Sequence, residues 1–299
     1  MASAKDVKER FSKCPYQSWE QLDAAMNELC SEVRKADRGA LLYGNAPHLQ
    51  AKTPEGVILQ NLPDRMILSA LDISVFDYLT GGDPATLCGG LHTYARLRHL
   101  NRWRLSGAHF NTVVESYATG DKVMRDGLFK SSGCGMEPLG ESETALLGNF
   151  VKAIRSRDED SSGIVIRQWA ETAPAVTAAF DKALYRFLAA VLEKDAAPIE
   201  GQFGELCRLH NRCGWIVRGW YRESTLIQTL PMFLAGLCRL AREEAGADLA
   251  AGTGNPCLDG LISCLDDVAG AGGARHMRFT GDAAFLNRLL EPGVWDPPL

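Results

Sequence analysis

Apolar residues recur at three- and four-residue steps along much of the chain, which is the spacing of amphipathic helices. Residues 15–36 show this most clearly, with an apolar face formed by Trp19, Leu22, Met26, Leu29 and Val33. Ser18, followed three residues later by Gln21, has the form of a capping box. Gly39 is placed to end the helix. We therefore predict a helix over this stretch.

A second helical region contains a pair of glycines. Asp83 is suited to the N-cap of a helix, and Pro84 is suited to its first position. Gly89 and Gly90 follow within the same apolar pattern. They are expected to interrupt or thin the helix, which allows another backbone or a ligand to approach it closely, because glycine has no side chain.

A few stretches depart from the simple helical pattern. The segment 40–62, which contains ALLYGNAPHLQ and GVILQNLP, is rich in turn residues, so we expect a small β-hairpin or an extended lid there. SSGIVIRQW at 161–169 is the best argument for further β structure. RDEDSSG at 157–163 is expected to be a solvated linker. A long helix over 169–198 is expected to start or kink at Pro174.

These patterns predict an all-α fold, mainly a helical bundle, with at most a minor β-hairpin near residues 40–62. The length of 299 residues suits one large domain or two modest ones. We expect a single helical domain over 1–299. In it, the N-terminal helix and extended segment of residues 1–62 pack on a helical core of residues 63–299.

The charge balance and the apolar runs exclude some classes of function. The net charge of −5 is unfavourable for sequence-independent nucleic-acid binding, which requires an excess of Lys and Arg against phosphates. The longest apolar runs fall short of the roughly 18 residues that cross a bilayer. The charged N-terminus, MASAKDVKERFSKC, lacks the apolar core of a signal peptide. We expect a soluble, cytoplasmic protein.

The chain has nine cysteines, none of them spaced as CxxC. This spacing argues against a zinc ribbon and against a thioredoxin-like redox site. In a reducing compartment most of these residues are expected to be small buried hydrophobes. Common catalytic motifs are also absent: the chain contains no GxGxxG, no P-loop with its lysine and no GxSxG.

Residues 206–226, LCRLHNRCGWIVRGWYRESTL, concentrate soft ligands, indole rings and cations. Cys207, His210 and Cys213 lie at three-residue steps. Three ligands on one helix do not easily surround a tetrahedral zinc ion, whose ligand pairs typically come from two elements. The plain interpretation of His210 is a packed, hydrogen-bonded core histidine.

The same segment also suits a haem. His210 is then the axial ligand of the iron, because haem requires only one protein imidazole and leaves its other face for oxygen or peroxide. Trp215 supplies a flat apolar wall. Arg218 or Arg222 pairs with a haem propionate through its guanidinium fork. Both interpretations of the segment remain open at the level of the sequence.

A second cluster lies in GGLHTYARLRHLNRWR, residues 89–104. His92 and His99 are seven residues apart, so they share a helix face. In the functional interpretation one histidine is a distal acid or base, and Arg96 or Arg98 holds a substrate carboxylate. In the plain interpretation the stretch is a basic, solvated surface helix. Its four arginines could also contact a phosphate or a nucleic-acid backbone.

The two clusters together resemble the tryptophan 2,3-dioxygenase superfamily, which includes the histidine-ligated, haem-dependent tyrosine hydroxylases. In that superfamily an Arg precedes the haem-binding His, as Arg208 precedes His210, and a Gly-bounded turn follows, as at Gly219. The resemblance implies that His92 or His99 is the distal histidine, with Arg96 or Arg98 near an amino-acid substrate. The GTGGS-type loop of the dioxygenases is missing at its expected place, and GTGN at 252–255 comes later in this chain.

The first functional hypothesis is a haem-dependent oxygenase or hydroxylase, with haem iron on His210 and a small aromatic substrate such as an aromatic amino acid. The alternative is a non-catalytic helical binding or scaffold protein, nucleocapsid-like or an interaction module, with the Arg-rich helix as its contact surface. The net charge and the six tryptophans favour the enzyme and a flat ligand. We expect no membrane or nucleic-acid partner, and a homo-oligomer remains open.

Overall fold

A computed structural model describes residues 4–35, 53–102, 110–131, 143–214, 231–249, 253, 256–270 and 276–295. Across these ranges the chain forms fourteen α-helices and no strand. The all-α fold class predicted from the apolar spacing is therefore confirmed. Within the same ranges, none of the helices has the length and apolar character that crossing a bilayer requires.

The chain divides into two compact units where the sequence suggested one domain. The first unit comprises Met1–Gly107, Glu223–Thr229 and Cys264–Leu299, and the second comprises Ala108–Arg222 and Leu230–Ser263. Helices α1 to α5 are Ala4–Phe11, Trp19–Lys35, Pro54–Gln60, Asp64–Leu79 and Pro84–Arg102. Helices α6 to α12 are Phe110–Thr119, Lys122–Ser131, Glu143–Ser156, Glu159–Thr172, Ala179–Glu193, Ala196–Leu209 and Met232–Ala245. Helix α13 is Pro256–Gly270, and α14 is Phe285–Leu290.

The paired helices α4 and α5 form the centre of the first unit, and glycine permits their close approach. A Cβ atom on Gly90 would lie only 1.6 Å from Ser74 Oγ and 2.9 Å from the backbone oxygen of Ala70. The predicted close approach at this glycine is therefore confirmed, and the helix continues through it without interruption. The predicted cap is also present, since Asp83 Oδ1 accepts a hydrogen bond from the Ala85 N–H at 2.9 Å.

Helix α2 follows its predicted face. Its buried residues are Leu22, Met26, Cys30 and Val33. The predicted capping box forms one of its two usual hydrogen bonds, and the other goes to a different backbone N–H. Ser18 Oγ accepts from the Gln21 N–H at 3.4 Å, whereas the Gln21 side chain accepts from the Gln17 N–H at 2.8 Å. The side chain of Gln21 thus bonds one residue ahead of the usual capping-box partner.

The extended conformation expected for GVILQNLP is wrong. Its first five residues, GVILQ, belong to α3, a short helix that opens at Pro54 after the N-cap Thr53, whose hydroxyl accepts from the Gly56 N–H at 3.1 Å. Four consecutive buried residues are compatible with a strand or a buried helix, so spacing alone does not decide between them. The Thr-Pro start decides it here. The rest of the expected hairpin, residues 40–52, lies outside the described residues.

The region between 157 and 198 also differs from expectation. RDEDSSG is a helix start rather than a linker, because the Asp158 carboxylate accepts from the N–H groups of Asp160 and Ser161 at 3.0 and 3.2 Å. The strand-like SSGIVIRQW lies inside α9. The long helix expected over 169–198 is also wrong: α9 ends at Thr172, before Pro174, the next helix spans Ala179–Glu193, and α11 begins at Ala196.

Glycine also brings two helices together in the second unit. A Cβ on Gly236 of α12 would lie 2.3 Å from the backbone oxygen of Val114 on α6. Helix α10 packs on α8 and α11, and α12 contacts α6, α10 and α11. This packing carries the C-terminal turn of α12 to the ends of α8 and α10, where charged residues converge.

Candidate functional site

The four predicted catalytic residues lie together on α5, in the first unit, and all are buried. His92 Nε2 is 2.9 Å from the backbone oxygen of Leu290. Arg96 is fully buried, and its Nη1 donates to three backbone oxygens, those of Leu289, Glu291 and Val294, at 2.8, 3.0 and 2.6 Å. These are carbonyls at and beyond the end of α14, where a helix has no intrahelical donors left. His92 and Arg96 therefore fasten the C-terminal segment to α5.

Arg98 and His99 are packed against aromatic rings. Arg98 Nη1 donates to the Tyr94 hydroxyl at 2.7 Å, and its guanidinium lies 5.6 Å from the centre of the same ring. The His99 ring lies 5.1 Å from the indole of Trp295. A solvated basic surface is thus the wrong description of residues 92–99. Their acid, base and carboxylate-binding roles stay predictions.

The predicted axial ligand, His210, lies in the second unit, in a single 3₁₀ turn that follows α11. Its side chain is buried. Trp215, Arg218 and Arg222, the predicted wall and propionate partners, lie outside the described residues. Of the predicted haem site, the structure therefore describes only the buried imidazole of His210. An imidazole is the ligand that an axial position of haem iron requires.

The residues flanking His210 do not form a metal cluster. Among the described side chains, no group of three or more His, Cys, Asp or Glu is arranged to hold a metal ion. Burial, then the nearby Cys238 and Asp259, raises the pKa of the Cys207 thiol to about 12. That thiol is neutral near pH 7 and is a poor ligand or nucleophile, since both roles require the thiolate. Arg208 is exposed and pairs with Glu205.

A charged cluster that was not predicted lies in the second unit, around Glu244 on α12. The side chain of Glu244 is 3% exposed. It accepts hydrogen bonds from the Tyr117 hydroxyl at 2.7 Å, from Arg155 Nη1 at 3.2 Å and from Arg157 Nη2 at 3.2 Å. Burial acts to raise the pKa of Glu244, but these three donors outweigh it and the pKa is lowered. Glu244 is therefore a buried, ionised carboxylate.

The cluster extends from Tyr117 to a second buried cation. Arg125 is 2% exposed; its guanidinium carbon lies 4.0 Å from the centre of the Tyr117 ring, and its Nη2 donates to Glu243 at 2.6 Å. Arg125 Nε and Nη1 have no hydrogen-bond partner in the described part of the chain. Arg155 also pairs with Asp126. Three arginines thus face three carboxylates, so the cluster is close to neutral.

A cavity of about 330 Å³ opens beside this cluster. Its apolar lining is formed by Ala153, Ile154, Val191 and Leu192, and its polar lining by Arg157, Glu159, Ser162, Lys194 and Glu244. The lining comes from the C-terminal ends of α8 and α10, the first turn of α9 and the last turn of α12. The cavity therefore combines an apolar wall with one buried carboxylate and exposed cations.

Two cations of the cavity have an unusual backbone conformation. Arg157, with φ of 56°, and Lys194, with φ of 57°, are the non-glycine residues with positive φ in the described ranges. Each is the first residue after a helix, a position where glycine is preferred because a left-handed conformation costs other residues about 1–2 kcal/mol. Both residues line the cavity. Backbone strain is therefore concentrated at this one place in the second unit.

The sequence contains a sign of the cluster, although not of its partners. Glu244 continues the apolar series of Leu237, Leu240 and Ala241 on α12 at helical spacing. An acid in the buried stripe of a helix predicts a cationic partner, because an isolated buried carboxylate is very costly. Which cation it meets depends on the packing of α12 with α8, which spacing along the chain does not give.

Compared with family models, with curated proteins and with solved structures, the chain matches none. The resemblance to the tryptophan 2,3-dioxygenase superfamily accordingly stays a prediction.

Proposed function

We propose that the protein binds a small organic anion with an apolar body in the cavity of the second unit. The observation that supports this most strongly is the pair of cations, Arg157 and Lys194, held in left-handed conformation at the cavity. The proposed ligand class includes the aromatic amino acids that the sequence pattern suggested as substrates.

The backbone conformation supports a role for these two side chains. Glycine adopts positive φ without steric cost, so it would relieve the strain at either helix end. A long cation at such a position carries a local cost, and strained non-glycine residues are concentrated at functional sites in other proteins. Their presence on the same cavity lining is the reason to connect the strain with a ligand.

The lining contains two cations and two carboxylates, Arg157 and Lys194 with Glu159 and Glu244, so the support for an organic anion comes from the two cations and from the size of the cavity. The Lys194 ammonium forms no ion pair with any described residue, whereas Arg157 shares its guanidinium with Glu244 at 3.2 Å. Both can donate to a carboxylate or a phosphate oxygen, and the apolar wall can cover a hydrocarbon body. The volume is near the lower end of the range of about 300–1,000 Å³ for small-molecule sites. This favours a ligand of amino-acid size over a dinucleotide.

Three probes of similar size test whether the cavity recognises a carboxylate or an ammonium group. They are 3-phenylpropionate, L-phenylalanine and phenethylamine, and each is titrated into the full chain by calorimetry. The carboxylate-bearing probes are expected to bind and the amine is not, because the amine offers nothing to Lys194 or Arg157. A tighter affinity for phenylalanine than for phenylpropionate would indicate that Glu159 also contacts the ammonium group.

Variants at residue 194 separate charge from backbone conformation. Lys194→Gly removes the cation and the strain together, and we expect at least a tenfold loss of affinity in a fully folded protein. Lys194→Arg keeps the cation and should retain binding. If none of these probes and no inorganic phosphate binds the wild type at millimolar concentration, the two cations are solvated helix ends and the proposal fails.

A haem-dependent oxygenase remains a second candidate, supported by the burial of His210 at the head of the Trp- and Arg-rich segment. When bound, haem supplies an iron centre for reaction with oxygen or peroxide. His210 would hold the iron, and Arg218 or Arg222 would pair with the propionates. Protein produced with a haem precursor should show a Soret band that His210→Ala removes or shifts. A colourless wild type that acquires no band on haem titration would end this candidate.

The scaffold alternative is less well supported. It requires an Arg-rich helix at the surface, but Arg96 and Arg98 are buried and engaged within the first unit. An anionic partner would have to displace the C-terminal segment to reach Arg96. Salt-sensitive binding of a polyanion such as heparin, lost in Arg98→Ala, would revive this alternative.

A further inference from the structure

We propose that Cys88 and Cys264 form an oxidisable dithiol, which hydrogen peroxide converts into a disulfide within one chain. The pair lies in the first unit, and the proposal is independent of the ligand proposed for the second unit.

The two sulfur atoms already lie in contact. Cys88 Sγ on α5 and Cys264 Sγ on α13 are 3.8 Å apart. A disulfide requires about 2.05 Å, so the sulfurs would have to approach by roughly 1.8 Å. The two residues are 4% and 5% exposed. Only a small oxidant can reach such a site, which favours hydrogen peroxide over a protein or glutathione disulfide.

Either thiol can donate in the contact between the two sulfur atoms, and Cys88 can also donate to the Cys264 backbone oxygen at 4.0 Å. When Cys88 donates to Cys264 Sγ, this contact lowers the pKa of Cys264, whereas burial and the carboxylates of Asp267 and Asp83 act to raise it. Cys264 is also 3.6 Å from the Pro84 backbone oxygen, to which its neutral thiol can donate. The thiolate is the reactive form of cysteine. With Cys88 as the donor, Cys264 is the nucleophile and Cys88 the resolving thiol.

Other cysteines have the opposite tendency. Burial raises the pKa of Cys14 and of Cys207 to about 12, and that of Cys30 to about 11. Since susceptibility to peroxide follows thiolate character, these three residues should react more slowly despite the greater exposure of Cys14 and Cys207. Selective reaction at a more buried cysteine is a result that exposure alone would not predict.

The proposed reaction consumes one peroxide and two thiols. The Cys264 thiolate attacks a peroxide oxygen; an S–O bond forms, the O–O bond breaks and hydroxide leaves, taking a proton to become water. The Cys88 sulfur then attacks the resulting sulfenic acid. An S–S bond forms, the S–O bond breaks, and the second water leaves with the proton of Cys88. The two sulfurs lose two electrons in total, and the peroxide gains them.

The bond would have a specific topological consequence. All residues of the second unit, from Ala108 to Ser263, lie between the two cysteines in sequence. The disulfide would therefore close a covalent ring that contains the whole second unit. In the denatured chain the disulfide would hold residues 88 and 264 together. Because the loop between them is long, many extended conformations of the chain would be excluded. The denatured, oxidised chain should consequently be more compact than the reduced chain.

The test treats the full, folded chain with hydrogen peroxide, blocks the remaining thiols with N-ethylmaleimide, and applies non-reducing gel electrophoresis and peptide mapping. We expect a faster-migrating monomer, reversed by dithiothreitol, and a linked peptide pair containing Cys88 and Cys264. In Cys88→Ala the reaction should stop at a Cys264 sulfenic acid that dimedone traps. In Cys264→Ala neither product should form, and the control Cys30→Ala should behave as the wild type.

Three results would overturn the proposal. One is a wild type that forms no Cys88–Cys264 link at a peroxide concentration at which Cys14 or Cys207 is already oxidised. Another is a link that appears only after denaturation. The third is a map in which Cys207 and Cys238 form the first disulfide. The wild-type map decides the question even if a substituted chain fails to fold.

Discussion

Each of the two units buries arginine, but with different partners. In the first unit, Arg96 donates to three backbone carbonyls and stacks near Trp295, 5.7 Å from its ring. In the second unit, the buried Arg125 donates to the Glu243 carboxylate, and the more exposed Arg155 and Arg157 face Glu244 beside a cavity. A carbonyl accepts through its dipole alone, whereas a carboxylate also carries a charge opposite to that of the arginine.

This difference separates two roles of arginine in the two units. Arg96 donates to the carbonyls at the end of a helix and so has a structural role in the fold. The cluster around Glu244 borders open space, and two of its neighbours have strained backbones. The exposed fraction of the side chain does not distinguish the two environments, since Arg96 and Arg125 are both almost fully buried. The identity of the acceptor and the presence of a cavity do separate them.

Replacing Arg96 by methionine should have the largest effect on stability. The change leaves three carbonyls without their donor, and buried acceptors that lose a partner cost about 1–3 kcal/mol each. Since Glu291 and Val294 can be rehydrated, we expect a total loss of about 3–4 kcal/mol in urea denaturation. The C-terminal segment should also become sensitive to protease.

Arg65 is the matched control in the same unit, because it is exposed at the start of α4. Arg65→Met should cost less than about 1 kcal/mol and leave the C-terminal segment protected. Equal losses in the two variants would mean that the carbonyl contacts of Arg96 contribute little.

Glu244→Gln should have the next largest effect, about 2 kcal/mol, because it removes the charge from a carboxylate with three donors. The pKa of Glu244 is lowered in the folded protein. Its contribution to stability is therefore fully present above the unfolded pKa of about 4.3 and is lost as the pH falls through the lower folded value. Measured between pH 7 and pH 3, the stability of the wild type should fall more steeply than that of the variant. Parallel curves would contradict the assignment.

The sequence was sufficient for the fold class and for several local features. The spacing of apolar residues predicted helices, and the pairs Asp83-Pro84 and Gly89-Gly90 predicted a helix start and a close approach, because these effects act within a few residues. The spacing was insufficient for α3, whose continuous apolar run fits a strand equally well.

The sites were harder to predict because their partners are remote in the chain. Arg96 and the Leu289 carbonyl that it binds are 193 residues apart, and Tyr117 and Glu244 are 127 residues apart. Residue type and helical spacing indicated that α5 carries histidines and arginines on one face. Every residue has a backbone carbonyl, however, so the sequence does not show which carbonyls these side chains bind. The contact with α14 was therefore invisible in the sequence.

Arg125→Met sharpens the comparison with Arg96, because both arginines are buried and methionine has a similar length. Arg125 Nη2 binds Glu243, which is 35% exposed and can be hydrated when the cation is removed. Methionine can also pack on the Tyr117 ring. We therefore expect a loss of only about 1 kcal/mol, well below that of Arg96→Met, in the same urea experiment. A loss as large as that of Arg96→Met would show that burial, and not the acceptor, sets the cost.

Lys194→Gly should have the smallest effect on stability, and its sign is informative. Glycine removes the left-handed strain at φ of 57° but adds freedom to the unfolded chain, worth about 0.4–1 kcal/mol in the opposite direction. We expect a net change within about 1 kcal/mol of zero, measured by urea denaturation. Lys194→Ala is the matched control, because it removes the same side chain and keeps the strain, so it should be less stable than the glycine variant. A glycine variant that is much less stable than the wild type would show that the Lys194 side chain stabilises the fold. A glycine variant with unchanged stability that no longer binds the probes would show that the side chain serves ligand binding.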